Sequence, residues 1–385
     1  MELKDFLWSL IIIYICARVM GELAVRIGQS AVLGELLAGV LIGGSLLGWV
    51  EETETLKLLG QIGVMLLLFE IGLESDLRSF LKVGLSAALV AAIGVVVPFV
   101  LGYGLALALH LPQLQAIFIG ATLTATSVAI SARGLFDLGK LRTREGNIIL
   151  GAAVLDDILG LVTLSAIIGL ATAGTVSWLE AGRTAGLALL LLSVAIAVGI
   201  RYSHLFSRLV NRMNTRGALV IAALSFALLF GYVAELMRIA ALVGAFAAGL
   251  VLARTEHQTH IAAAIKPVAD VFVPIFFVLI GAAVDLHHFN PFNEQNWPVL
   301  LLAGGLTLAA LVGKLVAGLG VTGAQANRWV IGVGMLPRGE VGLIFASMGL
   351  THRVLDEAQY GAILFVVVFT TFISPILLKR AFKGS

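Results

Sequence analysis

Two adjacent acids, Asp156 and Asp157, stand in an otherwise apolar stretch, Ile148-Ile149-Leu150-Gly151-Ala152-Ala153-Val154-Leu155-Asp156-Asp157-Ile158-Leu159-Gly160-Leu161-Val162. An ionisable side chain at the centre of a bilayer costs roughly 2.5–3.5 kcal/mol on insertion scales and marks a functional site by default. The bases that could answer them are Lys314, in Leu311-Val312-Gly313-Lys314-Leu315-Val316, and Arg338, with Glu340 two residues beyond it. Successive helical residues point about 100° apart, so the two aspartates cannot both face one partner. One can meet a lysine on a neighbouring helix while the other looks into a cavity. A buried ion pair that merely ties helices together needs one acid and one base. Two neighbouring acids, which repel each other, fit better a site that exchanges cations with protons.

A second signal is interruption of helices. Pro337 lies among Gly332, Gly334, Gly339 and Gly342, which predicts a break. The stretch Ala121-Thr122-Leu123-Thr124-Ala125-Thr126-Ser127-Val128-Ala129-Ile130-Ser131 is rich in hydroxyls without a proline. Such hydroxyls either bond back to carbonyls one turn earlier or line an opening in the backbone. Unwound backbone at membrane depth survives only where protein or a water-filled cavity encloses it.

These residues need elements that can carry them through lipid. Of 385 residues, 59% are hydrophobic and only 12% charged, and mean hydropathy is +1.04. Soluble domains carry about 25% charge, so a water-soluble globule is excluded. Thirteen apolar stretches are long enough to span, near 5–25, 31–49, 56–74, 83–109, 114–133, 145–172, 183–201, 216–235, 239–255, 262–284, 297–320, 328–350 and 357–379. The first is expected to be a retained helix rather than a cleaved leader, because Met1-Glu2-Leu3-Lys4-Asp5 is net acidic and Arg18 and Glu22 follow it. With the N-terminus outside and the C-terminus in the cytoplasm, 17 Lys and Arg residues fall on the inner side, Arg133, Arg142 and Arg144 among them. Five fall outside: Lys4, Lys57, Arg183, Arg238 and Arg353. That bias obeys the positive-inside rule. The two interrupted spans are seven apart and so run in opposite directions, as expected of inverted repeats whose broken helices cross at the midplane. The predicted fold is an all-α polytopic membrane protein of about 13 transmembrane helices, built from inverted repeats with two discontinuous crossing helices.

Several classes fall away. A formal net charge of +2 gives no reason to expect a nucleic-acid partner. The lone Cys16 forms no internal disulfide and no cysteine-built metal site. Gly134-Leu135-Phe136-Asp137-Leu138-Gly139-Lys140 imitates a phosphate-binding loop, but Leu141 follows where Ser or Thr is needed. An ATP motor is therefore not expected, and transport would run on an ion gradient. An intramembrane aspartyl protease would need its acids on facing elements rather than adjacent in sequence, so no enzyme is predicted. A channel lacks anything like a carbonyl-ring filter. GxxxG patterns at Gly39–Gly43 and Gly44–Gly48 read as close helix packing or as ordinary small-residue contacts.

Five stretches carry a resemblance to a known family: Gly34-Glu35-Leu36-Leu37-Ala38-Gly39, Leu68-Phe69-Glu70-Ile71-Gly72-Leu73-Glu74, Thr124-Ala125-Thr126-Ser127, Leu155-Asp156-Asp157 and Pro337-Arg338-Gly339-Glu340-Val341-Gly342-Leu343-Ile344. The chain resembles the monovalent cation:proton antiporter-2 family nearly end to end, most closely its NapA-type sodium/proton antiporters. The resemblance implies one transporter domain over 1–385. A dimerisation panel would take about 1–75 and 216–284, and an ion-carrying core about 83–172 and 297–379. A linker helix would cover about 183–201. It implies a homodimer in a prokaryotic inner membrane, with no cofactor beyond the transported Na⁺ or Li⁺ and H⁺. Asp157 would bind Na⁺, with Asp156, Thr126 and Ser127 nearby, and Asp156 would pair with Lys314. Thr126 and Ser127 would belong to the crossover of the first broken helix. Arg338 and Glu340 would belong to the second, as charges balancing helix ends. Glu70 departs from the pattern as an acid where an apolar residue is expected, and it could face headgroups, a partner or the cavity. Kef-type potassium efflux members add a nucleotide-binding tail, and no nucleotide-binding domain is read in this chain. The expected activity is Na⁺ (or Li⁺)/H⁺ exchange by alternating access, electrogenic, with K⁺/H⁺ exchange or a Kef-like potassium efflux protein as the alternative.

Overall fold

The computed structural model describes residues 3–75, 82–173, 179, 182–183, 186–187, 190, 193–194, 217–237, 241–283, 297–323, 326–351 and 353–383. Among these, every regular element is a helix. The first seven are α1 (Leu3–Arg26), α2 (Ala31–Ile42), α3 (Glu54–Glu74), α4 (Gly84–Ala108), α5 (Gln113–Thr122), α6 (Val128–Asp137) and α7 (Arg144–Ala173). Then come α8 (Ala218–Leu236), α9 (Ala241–Leu252), α10 (Gln258–Ala282), α11 (Trp297–Ala317), α12 (Arg328–Gly334), α13 (Glu340–Thr351) and α14 (Glu357–Lys383). Eight are long and apolar enough to cross a bilayer, and shorter apolar helices accompany them. The linker expected over 183–201 lies largely outside the described residues, as do Arg78, Arg201, Arg208, Arg212, Arg216 and Arg238.

Both interruptions are present. The span expected over 114–133 is two half-helices, α5 and α6, parted at 123–127, and α6 runs on to Asp137. The span expected over 328–350 is α12 and α13, parted around Pro337. The span expected over 31–49 is shorter than its apolar run, since α2 ends at Ile42 and the chain turns through Gly43-Gly44 to Gly48 at φ +61.

The helices sort by packing into two groups. One is α1–α3 with α8–α10, joined by α3 on α9 and α10 and by α2 on α10. The other is α4–α7 with α11–α14, where α4 packs on α11, α5 and α7, and α14 on α11, α12 and α13. The inverted repeat is visible in the first group. Helices α2 and α9 have the same 12-residue length and start 210 positions apart. Their sequences align as Gly34-Glu35-Leu36-Leu37-Ala38-Gly39 with Gly244-Ala245-Phe246-Ala247-Ala248-Gly249. Each last glycine does the same job: a Cβ on Gly39 would collide with the Val278 carbonyl of α10, and one on Gly249 with the Phe69 carbonyl of α3. Backbone crosses backbone there, as small residues permit in membrane helices. Gly43 also packs against Ala282, whereas Gly44 and Gly48 meet nothing, so only the first GxxxG pattern is a packing motif.

Helices α1, α3, α6, α9, α11 and α14 finish at one end of the bundle, the end rich in Arg and Lys. Hydrogen bonds between distant segments tie it together. Arg142 donates to the Glu74 carbonyl at 3.0 Å, Gln258 to the Leu73 carbonyl at 3.0 Å, and Lys379 to the Gly28 carbonyl. We call it the basic end.

Candidate functional site

The two breaks meet in the middle of the second group. The Ser127 amide donates to the Pro337 carbonyl at 2.8 Å. The Ser131 hydroxyl donates to the Gly334 carbonyl at 2.7 Å, and the Thr126 hydroxyl reaches the Met335 carbonyl at 3.4 Å. These donors take up carbonyls left over where α12 stops, which any helix C-terminus leaves without an intrahelical partner. Ser127 also opens α6 as its N-cap, its hydroxyl facing the Ile130 amide at 3.5 Å.

The stop of α5 is served differently. Arg338 is wholly buried and donates from one guanidinium nitrogen to the carbonyls of Leu123 at 2.6 Å and Ala125 at 3.1 Å. Its other terminal nitrogen reaches the Ala310 carbonyl at 3.4 Å. Lys314, carried on α11, donates to the Thr124 carbonyl at 2.5 Å. The carbonyl end of a helix carries partial negative charge and attracts cations. Arg338 thus balances the end of the first broken helix rather than its own. The Arg338 carbonyl is held by the Thr371 hydroxyl of α14 at 2.6 Å.

Lys314 does a second job. Its ammonium lies 3.3 Å from Asp156 Oδ2, with both side chains at 0% exposure. Asp156 is buried throughout, and Thr126 stands beside its carboxyl group as well. Asp157, next on α7, is buried and adds to the field at Lys314, as does Arg338. The structure therefore brings Asp156, Asp157, Lys314, Thr126, Ser127 and Arg338 to one crossing. Glu340 is the first residue of α13, and its side chain lies outside the described residues. The chemistry on offer is hard oxygen (carboxylate, hydroxyl and unwound carbonyl) beside a base able to hold or release a proton. Such oxygens suit hard cations.

A second charged cluster lies towards the basic end, and the sequence reading resolved it only in part. Glu70 on α3 is 4% exposed and Glu35 on α2 is 8% exposed. Both face Arg133, which is on α6 rather than in a loop and is hydrogen-bonded to Asp137 at 3.0 Å. Glu70 thus faces the interior, not headgroups. The signal that could have found the cluster was an acid inside each of two apolar runs, Glu35 and Glu70, with a base beyond the hydroxyl-rich break.

Comparison with known proteins follows the same line. The model of the family described as sodium/hydrogen exchanger, transmembrane, matches residues 10–384. The chain is 39% identical to the high-affinity Na⁺/H⁺ antiporter NhaS3 of Synechocystis over 100% of this chain and 91% of that protein. It is 37% identical to the Na⁺/H⁺-K⁺ antiporter GerN of Bacillus cereus over 98% of this chain and 96% of that one. Among solved structures it is similar to the sodium proton antiporter MjNhaP1 of Methanocaldococcus jannaschii, with a TM-score of 0.71 at 18% identity, covering 100% and 99% of the two chains. That last likeness speaks for the fold.

Proposed function

This chain belongs to the sodium/hydrogen exchanger family, and from that premise we propose how it works: as a secondary active antiporter exchanging Na⁺ for H⁺ across a membrane. The observation that carries the reading is the dry Asp156–Lys314 pair with Asp157 as its neighbour, at the crossing of two broken helices. Two neighbouring acids beside a buried ammonium and unwound backbone give carboxylate oxygens for which protons and cations compete, whichever is more abundant on the exposed side. Asp157 is the ion-binding carboxylate of this reading, with Thr126, Ser127 and Asp156 supplying oxygen nearby. The binding group is α4–α7 with α11–α14, and it moves against a panel of α1–α3 and α8–α10, alternating access as a largely rigid body. The panel pairs with that of a second copy. The basic end faces the cytoplasm of a prokaryotic cell, by the positive-inside rule.

The experiment is reconstitution in liposomes holding a pH-sensitive dye, with Na⁺, Li⁺ and K⁺ added in turn between pH 6 and 9. Na⁺ and Li⁺ are expected to release protons more effectively than K⁺. K⁺ deserves its own arm because the name of GerN includes it; equal response to K⁺ would make this a K⁺/H⁺ exchanger. Silence for all three ions would end the transport reading. Asp157→Asn should abolish exchange in a folded protein, since an amide carries neither the proton nor the charge. Wild-type turnover in that variant would move the binding site elsewhere.

A further inference from the structure

Panel and core meet chiefly at one end of the described structure. Among the described residues their extensive contacts run through α6 against α2 and α3, and α14 against α2. The other half-helices, α5 and α13, make their extensive contacts within the core. Polar contacts between described residues cross this boundary at the basic end as well. Arg142 reaches the Glu74 carbonyl and Lys379 the Gly28 carbonyl. The Lys266 ammonium of α10 sits 5.6 Å from the ring centre of Phe136 on α6, a cation–π distance. The Arg133 guanidinium lies 5.9 Å from the same ring.

The buried charges at this boundary are unequally matched. Arg133 is the strongest attractive partner of Glu35 and of Glu70, which approach it from two different panel helices. Its hydrogen bond, however, goes to Asp137 on its own helix. The attraction to the glutamates therefore acts through space. Glu35 Oε2 is buried with no hydrogen bond at all. The remaining charges facing the cluster are Arg18 on α1, Glu74 on α3, and Lys266 and Asp270 on α10. An arginine locked to the panel by short bonds would have to break them in every cycle. Arg133 instead keeps its bonded partner when α6 moves, and the glutamates exchange its field for water and cations.

We propose that Arg133 and Phe136 on the core, set against Glu35, Glu70 and Lys266 on the panel, form a reversible charged gate that closes the basic end of the transport path. This makes them positioning residues for the exchange reaction, and the proposal rests on the reading that the core moves against the panel. The gate also explains why two acids are kept in the panel. Once Arg133 withdraws, they line the opened mouth and draw cations towards Asp157.

The test reads the gate without needing transport. Ala129 lies one turn nearer the crossing than Arg133 on the same face of α6 and is wholly buried. In a Cys16→Ala background, Ala129→Cys is labelled with a membrane-impermeant maleimide from the basic-end side of oriented liposomes. Arg133→Gln, and separately Glu35→Gln with Glu70→Gln, should raise the labelling rate at least threefold. Arg133→Gln, which keeps both acids, should also lower the apparent KM for Na⁺ on that side, because the binding-competent state is more populated. A reversal pair, Arg133→Glu with Glu70→Arg, should bring labelling back towards the slow rate, which a merely loosened fold would not do. Unchanged labelling in the folded neutral variants, with unchanged KM in Arg133→Gln, would overturn the gate, and so would fast labelling that the reversal pair leaves fast. If the wild type exchanges no ions, the exchange reading fails, while the labelling series still reports on the gate.

Discussion

The two helix breaks are related by the internal repeat yet are satisfied by opposite chemistry. Where α12 stops, the free carbonyls of Gly334, Met335 and Pro337 meet neutral donors: two hydroxyls and one amide from the first half of the chain. Where α5 stops, the carbonyls of Leu123, Thr124 and Ala125 meet two cations from the second half, Arg338 and Lys314. Each break is held by the other half, but only one is held by charge. The difference teaches where rigidity and reactivity are placed. The α12 end can stay fixed whatever the ion occupancy, since neutral hydrogen bonds ignore proton traffic. The α5 end is tied to Lys314, which also answers Asp156, so a change of charge at the acids is felt directly in the unwound backbone.

Removing Arg338 should break the comparison most severely. Arg338→Met leaves three buried carbonyl contacts unmade, each costing about 1–3 kcal/mol when no donor replaces it. The expected outcome is a protein that assembles poorly or unfolds many degrees lower in detergent melting. Arg338→Lys should recover only part of the loss, because a point ammonium cannot span carbonyls that a planar fork reaches together. Full stability in Arg338→Met would mean that the α5 end is hydrated rather than dry.

Lys314 comes next, and it separates structure from transport. Lys314→Ala leaves Asp156 buried without its partner, a loss typically worth about 3–5 kcal/mol. Lys314→Gln is gentler and tests the current. If Lys314 releases its proton when the cation binds, each cycle moves two protons for one sodium and carries charge. The glutamine variant should then lose most of its voltage dependence while some dye-reported exchange survives. Solid-supported-membrane current measured beside exchange decides the matter. An undiminished current per ion exchanged would make Lys314 a counter-charge only.

Much of this arrangement is legible in the amino-acid sequence. Composition and span length reveal the membrane fold, and the cost of charge in lipid singles out Asp156, Asp157, Lys314 and Arg338. Pro337 and its glycines mark one break directly. Other features depend on contacts between residues far apart in sequence. Arg133 reads as a loop residue because a break shifts the register of everything after it, and α6 extends to Asp137. That Arg338 serves the carbonyls of α5 requires knowing that the two breaks cross. The repeat in α2 and α9 is carried by small residues, which are common throughout membrane helices and so stand out only when their crossings coincide.

The neutral break offers the smallest effect and the sharpest control. Ser131→Ala removes the hydroxyl from the Gly334 carbonyl and leaves a buried acceptor unpaired, a loss of about 1–3 kcal/mol. The Ser127 hydroxyl bond to Ile130 is longer at 3.5 Å, so Ser127→Ala should cost about 1 kcal/mol or less as a lost cap. Neither change alters the buried charge, so if the two breaks divide rigidity from reactivity, Ser131→Ala should lower the melting temperature while leaving the ratio of current to exchange at its wild-type value. Ser127 stands closer to the proposed ion, and its loss can raise the KM for Na⁺, but it too should leave charge per cycle untouched. Thermal melts and paired current and dye measurements on both variants test this. A changed charge per cycle in Ser131→Ala would show that the α12 end takes part in the titration, and the division between a fixed break and a responsive one would fall.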